Sequence, residues 1–167
     1  MQTFLDYYEQ EIQPQIAAID IFLKSEEPPY DADIVGELLE IPPLEWQQML
    51  KEEKISFITR GIFFQLMKRG SSQLCGMFRR ATELYLPEAY TAEVIAYIFD
   101  LPIEPVRKAT EELGQKTFTD EMLPQVFSKI MLTGVTLIGS NLELSVKIAK
   151  ALLFYPSNSV SGDLLYR

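Results

Sequence analysis

The chain predicts an all-α fold, a helical bundle of two pseudo-repeats, from three observations. Apolar residues recur at steps of three and four along most of its length, and few alternating apolar/polar runs occur. Prolines and glycines divide that pattern into helix-length segments. Third, a stretch repeats at a spacing of sixty residues: Tyr30–Pro42 reads YDADIVGELLEIP and Tyr90–Pro102 reads YTAEVIAYIFDLP. Of thirteen aligned positions three are identical, eight are conservative and two differ, and Thr59 over Thr119 and Gln65 over Gln125 continue the register. Self-similarity at a fixed period means one supersecondary unit used twice. Each pseudo-repeat is expected to be a pair of short helices followed by longer apolar helices.

The expected layout is one all-α domain over residues 1–167. An amphipathic helical segment (1–29) leads into pseudo-repeat 1 (30–89), pseudo-repeat 2 (90–156) and a tail (157–167). In the opening segment Leu5, Tyr8, Ile12, Ile16, Ile19 and Leu23 fall on one helix face. Pro14 interrupts it, which calls for a kink or two shorter helices. Pro28 and Pro29 stop the segment. Asp31 can cap a helix running to Glu40, Ile41-Pro42-Pro43 turns, and Leu44–Glu53 forms the second helix. A very apolar helix, Ile55–Arg69, ends at Gly70, and Ser71 or Ser72 caps another reaching about Tyr85. Thr91 caps Ala92–Phe99, the turn is Asp100–Glu104, and Pro105 suits the first position of a helix ending at Gly114. Thr119 or Asp120 opens a helix through Leu132. Gly139-Ser140-Asn141 breaks the chain before a helix over Leu142–Tyr155, and the apolar end of the tail is expected to dock back.

Composition narrows the function classes. An apolar fraction of 47% with 23% charged residues is that of an ordinary globular chain. A chain of this length buries about 70% of its unfolded surface. There is no histidine. That removes Ser-His and Cys-His nucleophile pairs, most zinc hydrolase sites and the usual pH switch near neutrality. Carboxylate-only catalysis remains open, yet no acidic pair stands out from helix-surface acids. The single cysteine, Cys75, lies in an apolar stretch as a core filler and leaves no intramolecular disulfide framework, which suits a reducing cytoplasm. The N-terminus MQTFLDYYEQEIQ lacks a secretory layout, and no window reaches the roughly 18–20 apolar residues of a membrane span.

The net charge of −9 is uneven. Residues 1–50 hold eleven acids and one base, 51–80 two acids and seven bases, 81–128 nine acids and three bases, and 129–167 two acids and four bases. An acidic chain repels nucleic acid and anionic lipid at long range, with the central segment as the exception.

The two repeated segments carry the apolar pattern of a steep helix crossing. The second has Ala96 at the crossing, Phe99 and Leu101 around the turn, then Val106, Ala109 and Leu113. The first has Gly36, then Leu39 and Ile41, then Trp46, Met49 and Leu50. Both resemble the helix-turn-helix motif over about twenty-four residues each. Glu40 and Asp100 stand where the motif has its turn glycine, with Pro42 and Pro102 two residues on. The resemblance implies a second helix able to enter the major groove. Here those helices read LEWQQMLKEE and EPVRKATEEL, and only Arg107 and Lys108 suit a phosphate-rich partner against Glu104, Glu111 and Glu112.

Seven bases between Lys51 and Arg80 interleave with Phe57, Phe63, Phe64 and Phe78. Lys68, Arg69, Arg79 and Arg80, with Arg107 and Lys108, are the candidate contacts for nucleic acid or an acidic partner. The plainer reading has these bases pairing with the acidic repeats on either side. Lys68-Arg69-Gly70-Ser71-Ser72 could cradle an anion at a helix start, without a phosphate-loop glycine pattern. Arg79-Arg80-Ala81-Thr82 resembles a basophilic phosphorylation site placed within a helix, and Gly134–Gly139 reads as a close helix approach. The expected function is a non-enzymatic, cytoplasmic regulatory or adaptor role through contact with a protein partner, with no cofactor, no metal and no membrane. A helix-turn-helix DNA-binding regulator is the rival, and a homodimer is a further partner to consider.

Overall fold

A computed structural model describes residues 1–132 and shows an all-α protein. Its elements are α1 (Phe4–Tyr7), a π-helical stretch (Tyr8–Ile12), α2 (Gln13–Ser25), α3 (Ala32–Leu38), α4 (Pro43–Glu52), α5 (Arg60–Arg69), α6 (Gln73–Glu83), α7 (Ala92–Phe99), α8 (Ile103–Leu113), a 3-10 turn (Asp120–Met122) and α9 (Leu123–Phe127). Among the described residues there is no strand, only three isolated bridges, Thr3 with Met131, Tyr30 with Ile58 and Tyr90 with Phe118. The expected helix over Leu142–Tyr155, the Gly134–Gly139 approach and the tail lie outside the described residues. The chain forms two compact units, residues 1–14 with 80–132, and residues 15–79.

In the unit of residues 15–79, Asp31 caps α3 by accepting from the Asp33 and Ile34 amides. The pair α3/α4 meets at Gly36 and Trp46. A Cβ on Gly36 would stand 2.7 Å from the Trp46 indole nitrogen, so only glycine admits this ring at the crossing. Trp46 is buried, and its Nε1–H has no hydrogen-bond partner among the described residues. Val35, Leu39, Ile41, Phe63, Leu66 and Cys75 complete the core. Gly70 sits where a Cβ would meet Cys75 Sγ at 2.6 Å and Ile41 at 2.9 Å. Ser72 caps α6 through the Cys75 amide and donates to Leu39 O at 2.7 Å, which ties α6 to the end of α3.

In the other unit Phe4, Tyr8, Phe99 and Phe127 form an aromatic cluster with ring centroids 4.8–6.2 Å apart. The Thr3 capping box starts α1, and Phe4 N donates to Ile130 O while Leu132 N donates to Gln2 O. Thr91 caps α7, which packs on α8 through buried Ile95, Ala96, Val106 and Ala109.

Several expected boundaries are corrected. The helix placed over Ile55–Arg69 begins only at Arg60, because Ile58 O is taken by Tyr30 N at 2.8 Å and Thr59 caps through the Ile62 amide. α8 begins at Ile103, with Pro102 as its cap, which leaves Pro105 at the third position. Its missing N–H still falls among the first-turn donors that need no partner. The helix drawn to Leu132 stops at Phe127, since Ile130 and Leu132 pair with the N-terminal strand-like residues. Of the two outcomes expected at Pro14, a kink or two short helices, separate helices do not form, and helical backbone runs through it. The turn before it widens to π geometry, with Gln13 N bonding Tyr8 O, and this shift relieves the carbonyls that a proline cannot serve. Of the proposed stripe, Ile12 and Ile19 are buried and Ile16 is exposed.

The same local features occur sixty residues apart. Tyr30 pairs with Ile58 and Tyr90 with Phe118; Glu40 and Asp100 are both left-handed, at φ 51° and 52°. Lys54 and Gly114 are left-handed too, at φ 51° and 68°, and Ile41 N bonds Gly36 O as Leu101 N bonds Ala96 O. Each crossing balances its two residues differently, Gly36 against Trp46 and Ala96 against Val106. Changing Gly36 to Ala is therefore expected to cost about 1–3 kcal/mol in denaturant unfolding, despite alanine's helix propensity. Trp46→Val should cost about 3 kcal/mol. The double variant, which copies the other crossing, should lose at least about 1 kcal/mol less than the sum. Simple additivity would show that the two positions do not oppose each other.

Burial pushes the Cys75 thiol up to about 11 from 9.0. The folded state thus holds this proton more tightly than the unfolded chain. Its contribution to stability is complete below the unfolded value and is lost as pH rises through about 11. Unfolding free energy measured across that interval should fall less in Cys75→Ala than in the parent. An equal fall in both proteins would rule out Cys75 as a contributor.

Candidate functional site

The six candidate basic residues separate by what their side chains do. In the unit of residues 15–79, Arg69 at the end of α5 pairs with Glu53 and lies 3.6 Å from Glu52. Arg79 on α6 donates to Lys68 O at 2.9 Å and Gly70 O at 3.2 Å. Lys68, Arg69 and Arg79 thus lie at or against the α5–α6 turn, where Arg79 binds its carbonyls and Arg69 reaches back to Glu53. Ser71 donates to Glu45 and Ser72 to Leu39 O. The turn considered as an anion cradle thus directs its hydroxyls at the protein itself.

In the other unit Arg80 donates from Nε and Nη2 to Ile98 O, at 3.1 and 2.9 Å, near the end of α7. Arg107 on α8 lies 3.4 Å from Glu93 and 3.2 Å from Glu104. The Glu93 carboxyl is held below its usual value, first by its own backbone N–H and then by Arg107. Lys108 is exposed next to Arg107. These surface pairs contribute little to stability, about 0–1 kcal/mol each. Their consequence is electrostatic: the arginine of the second helix carries two carboxylates with it.

A different feature stands at the end of α6, at Tyr85, an aromatic residue that the sequence suggests packs in the core or between the repeats; the structure corrects this. Tyr85 and Leu86 are both left-handed, at φ 59° and 51°, and 94% and 59% exposed. Tyr85 N bonds Thr82 O and Leu86 N bonds Ala81 O, the pattern in which the helix-ending residue is most often glycine. Beside this turn a cleft of about 560 Å³ runs from Ala81, Leu86 and Pro87 to Tyr90 and Asp120, with Glu88 and Glu121 in its lining. Tyr90 O–H donates to Asp120 Oδ1 at 2.5 Å. Burial, then that bond, raises the Tyr90 phenol above its ordinary range. The sequence signal that could have found this place is the pair of large apolar residues directly before Pro87, where a helix must end.

Among the described residues no group of three or more His, Cys, Asp or Glu is arranged to hold a metal ion, and no helix is long and apolar enough to cross a membrane. No protein-family model, curated protein or solved structure matches the chain.

With Glu93 and Glu104 beside Arg107, duplex DNA is expected not to bind at micromolar protein and physiological salt. Non-specific binders hold DNA there with dissociation constants of about 10⁻⁴–10⁻⁶ M that weaken steeply with salt. A salt titration on random and genomic fragments makes the measurement. Salt-sensitive binding that disappears in Arg107→Ala with Lys108→Ala would establish a DNA reader instead.

Proposed function

We propose that this chain is a non-enzymatic regulatory or adaptor protein that works by contact with another protein. The observation that carries this reading is the Tyr85–Leu86 turn. Two large apolar side chains stand in solvent on backbone that costs an L-residue about 1–2 kcal/mol per position. Gly114 closes α8 in the same left-handed conformation without that cost. Tyr85, at 94% exposure, gains no burial in return. Exposed apolar groups held on strained backbone are a common arrangement at contact sites.

The rival reading, a DNA-binding regulator, draws on the two short helix pairs and on Arg107 and Lys108. It is supported less, because Arg107 sits between Glu93 and Glu104 and because Arg79 and Arg80 bind backbone carbonyls. A reducing compartment such as the cytoplasm suits a chain with one buried cysteine.

A photo-crosslinking residue in place of Tyr85 tests the reading in living cells. Discrete adducts with another protein are expected from position 85 and not from exposed Lys116. Adducts from neither position, together with salt-sensitive DNA binding, would replace the adaptor with the DNA reader.

A further inference from the structure

We infer that the cleft beginning at Leu86 receives a basic segment of a partner protein, with an apolar side chain against Leu86, Pro87 and Tyr90 and a lysine or arginine among Glu88, Asp120 and Glu121. This rests on the protein-contact reading of the neighbouring turn and adds the chemistry of the partner.

The lining is apolar on one side and anionic on the other. Ala81, Leu86, Pro87 and the Tyr90 ring offer a surface for an aliphatic or aromatic group. Glu88, Asp120 and Glu121 bring three carboxylates, and among the described residues no lysine or arginine lines the cleft. Glu88 and Glu121 have no ion-pair partner among the described residues, whereas exposed Glu93, Glu104 and Glu112 each have one. Asp120 is oriented by Tyr90, which occupies one of its oxygens, and a carboxylate accepts at about four lone-pair positions. The anchor is thus preset before any partner arrives.

The surrounding charge points the same way. Residues 81–128 hold nine acids against three bases, and one of those bases, Arg107, is flanked by carboxylates. Nucleic acid and acidic peptides meet like charge at this place, while a cationic segment is drawn in. The exposed ring of Tyr85 next to the cleft adds a face on which a guanidinium can stack. Apolar contact and charge lie on one short path, so a stretch of chain satisfies both at once more readily than a small ion does.

Fluorescence anisotropy with the full chain supplies the test, using a labelled peptide that alternates leucine and arginine and its counterpart with glutamate for arginine. The arginine peptide is expected to bind and to weaken as salt rises, and the glutamate peptide is expected not to bind. Glu88→Gln with Glu121→Gln, both on exposed side chains, should weaken the arginine peptide by about tenfold or more; circular dichroism checks that this variant is folded. Equal binding to parent and double variant would overturn the inference, as would failure of the arginine peptide to bind at all. If Leu86→Ser then still abolishes crosslinking from position 85, the protein-contact reading survives without the basic partner. If it does not, both fall. Salt-sensitive self-association of the parent, lost in the double variant, would put a second copy of this chain in the cleft and also overturn the inference.

Discussion

The short backbone pairing that closes each helix pair is the constraint on which the rest of the architecture depends. Tyr30 N meets Ile58 O at 2.8 Å, and Tyr90 and Phe118 exchange two bonds of 2.8 Å. Each bridge joins the residue just before a helix pair to a residue after it, so the two helices must cross within a fixed loop of chain. Short helices cannot hold themselves in water. α3 has seven residues and α7 eight, and they persist because the closed loop presses their apolar faces onto the following helices. The two tyrosines reinforce the closure through opposite partners. The Tyr30 hydroxyl accepts from Arg60 Nε at 3.4 Å, whereas the Tyr90 hydroxyl donates to Asp120. The Tyr30 hydroxyl thus meets a cation and the Tyr90 hydroxyl an anion. The anion in the second case, Asp120, also lines the cleft beside its bridge.

The closure also dictates how helices end. Left-handed residues stop the helices at Glu40, Lys54, Tyr85, Asp100 and Gly114, and glycine fills only the last of these. At Asp100 a short polar side chain tolerates the conformation, while Glu40 and Lys54 have no such aid. In each of these cases the following residue is apolar: Ile41 and Leu101 go to or near the core, and Ile55 is half-buried. The helix-ending strain is offset by that neighbour's burial. After Tyr85 the next residue is Leu86, still exposed and itself left-handed. The compensation present at the other turns is missing here, and this singles the place out.

Much of the fold was legible in the sequence. Apolar spacing, caps at Asp31 and Thr91, and the stops at Gly70 and Gly114 predict helices that the structure contains. Trp46 and Val106 were legible as buried anchors of the second helices, because both follow the turn proline by four residues. What escaped were features set by distant backbone. Nothing local to Ile55–Ile58 forbids helix; Tyr30, far upstream, claims Ile58 O. Likewise a π turn before Pro14 depends on where neighbouring carbonyls find donors, which no periodicity reports. The candidate site was less legible than the fold, because charge is visible in a sequence while its acceptors are not. Arg79 and Arg80 read as a basic patch, and both turn out to fasten helix ends by binding carbonyl oxygens.

That use of arginine bears on how this protein divides its charge. A helix C-terminus leaves carbonyls without intrahelical partners, and a guanidinium can serve two at once or one twice. Arg79 satisfies the turn after α5, and Arg80 satisfies Ile98 at the end of α7. The bases that the sequence concentrates near Arg80 are thereby drawn into structure at places where the backbone needs donors. Some acids meet the same need at helix starts: Asp31 caps α3 and Asp6 accepts from Thr3 N in the α1 capping box, while Thr59, Ser72 and Thr91 cap α5, α6 and α7. Glu88 and Glu121, which have no ion-pair partner among the described residues, remain at the surface beside the cleft. The described arginines are engaged within the fold while these acids face outward, and this is the charge pattern that the proposed basic partner would meet beside the apolar turn at Tyr85.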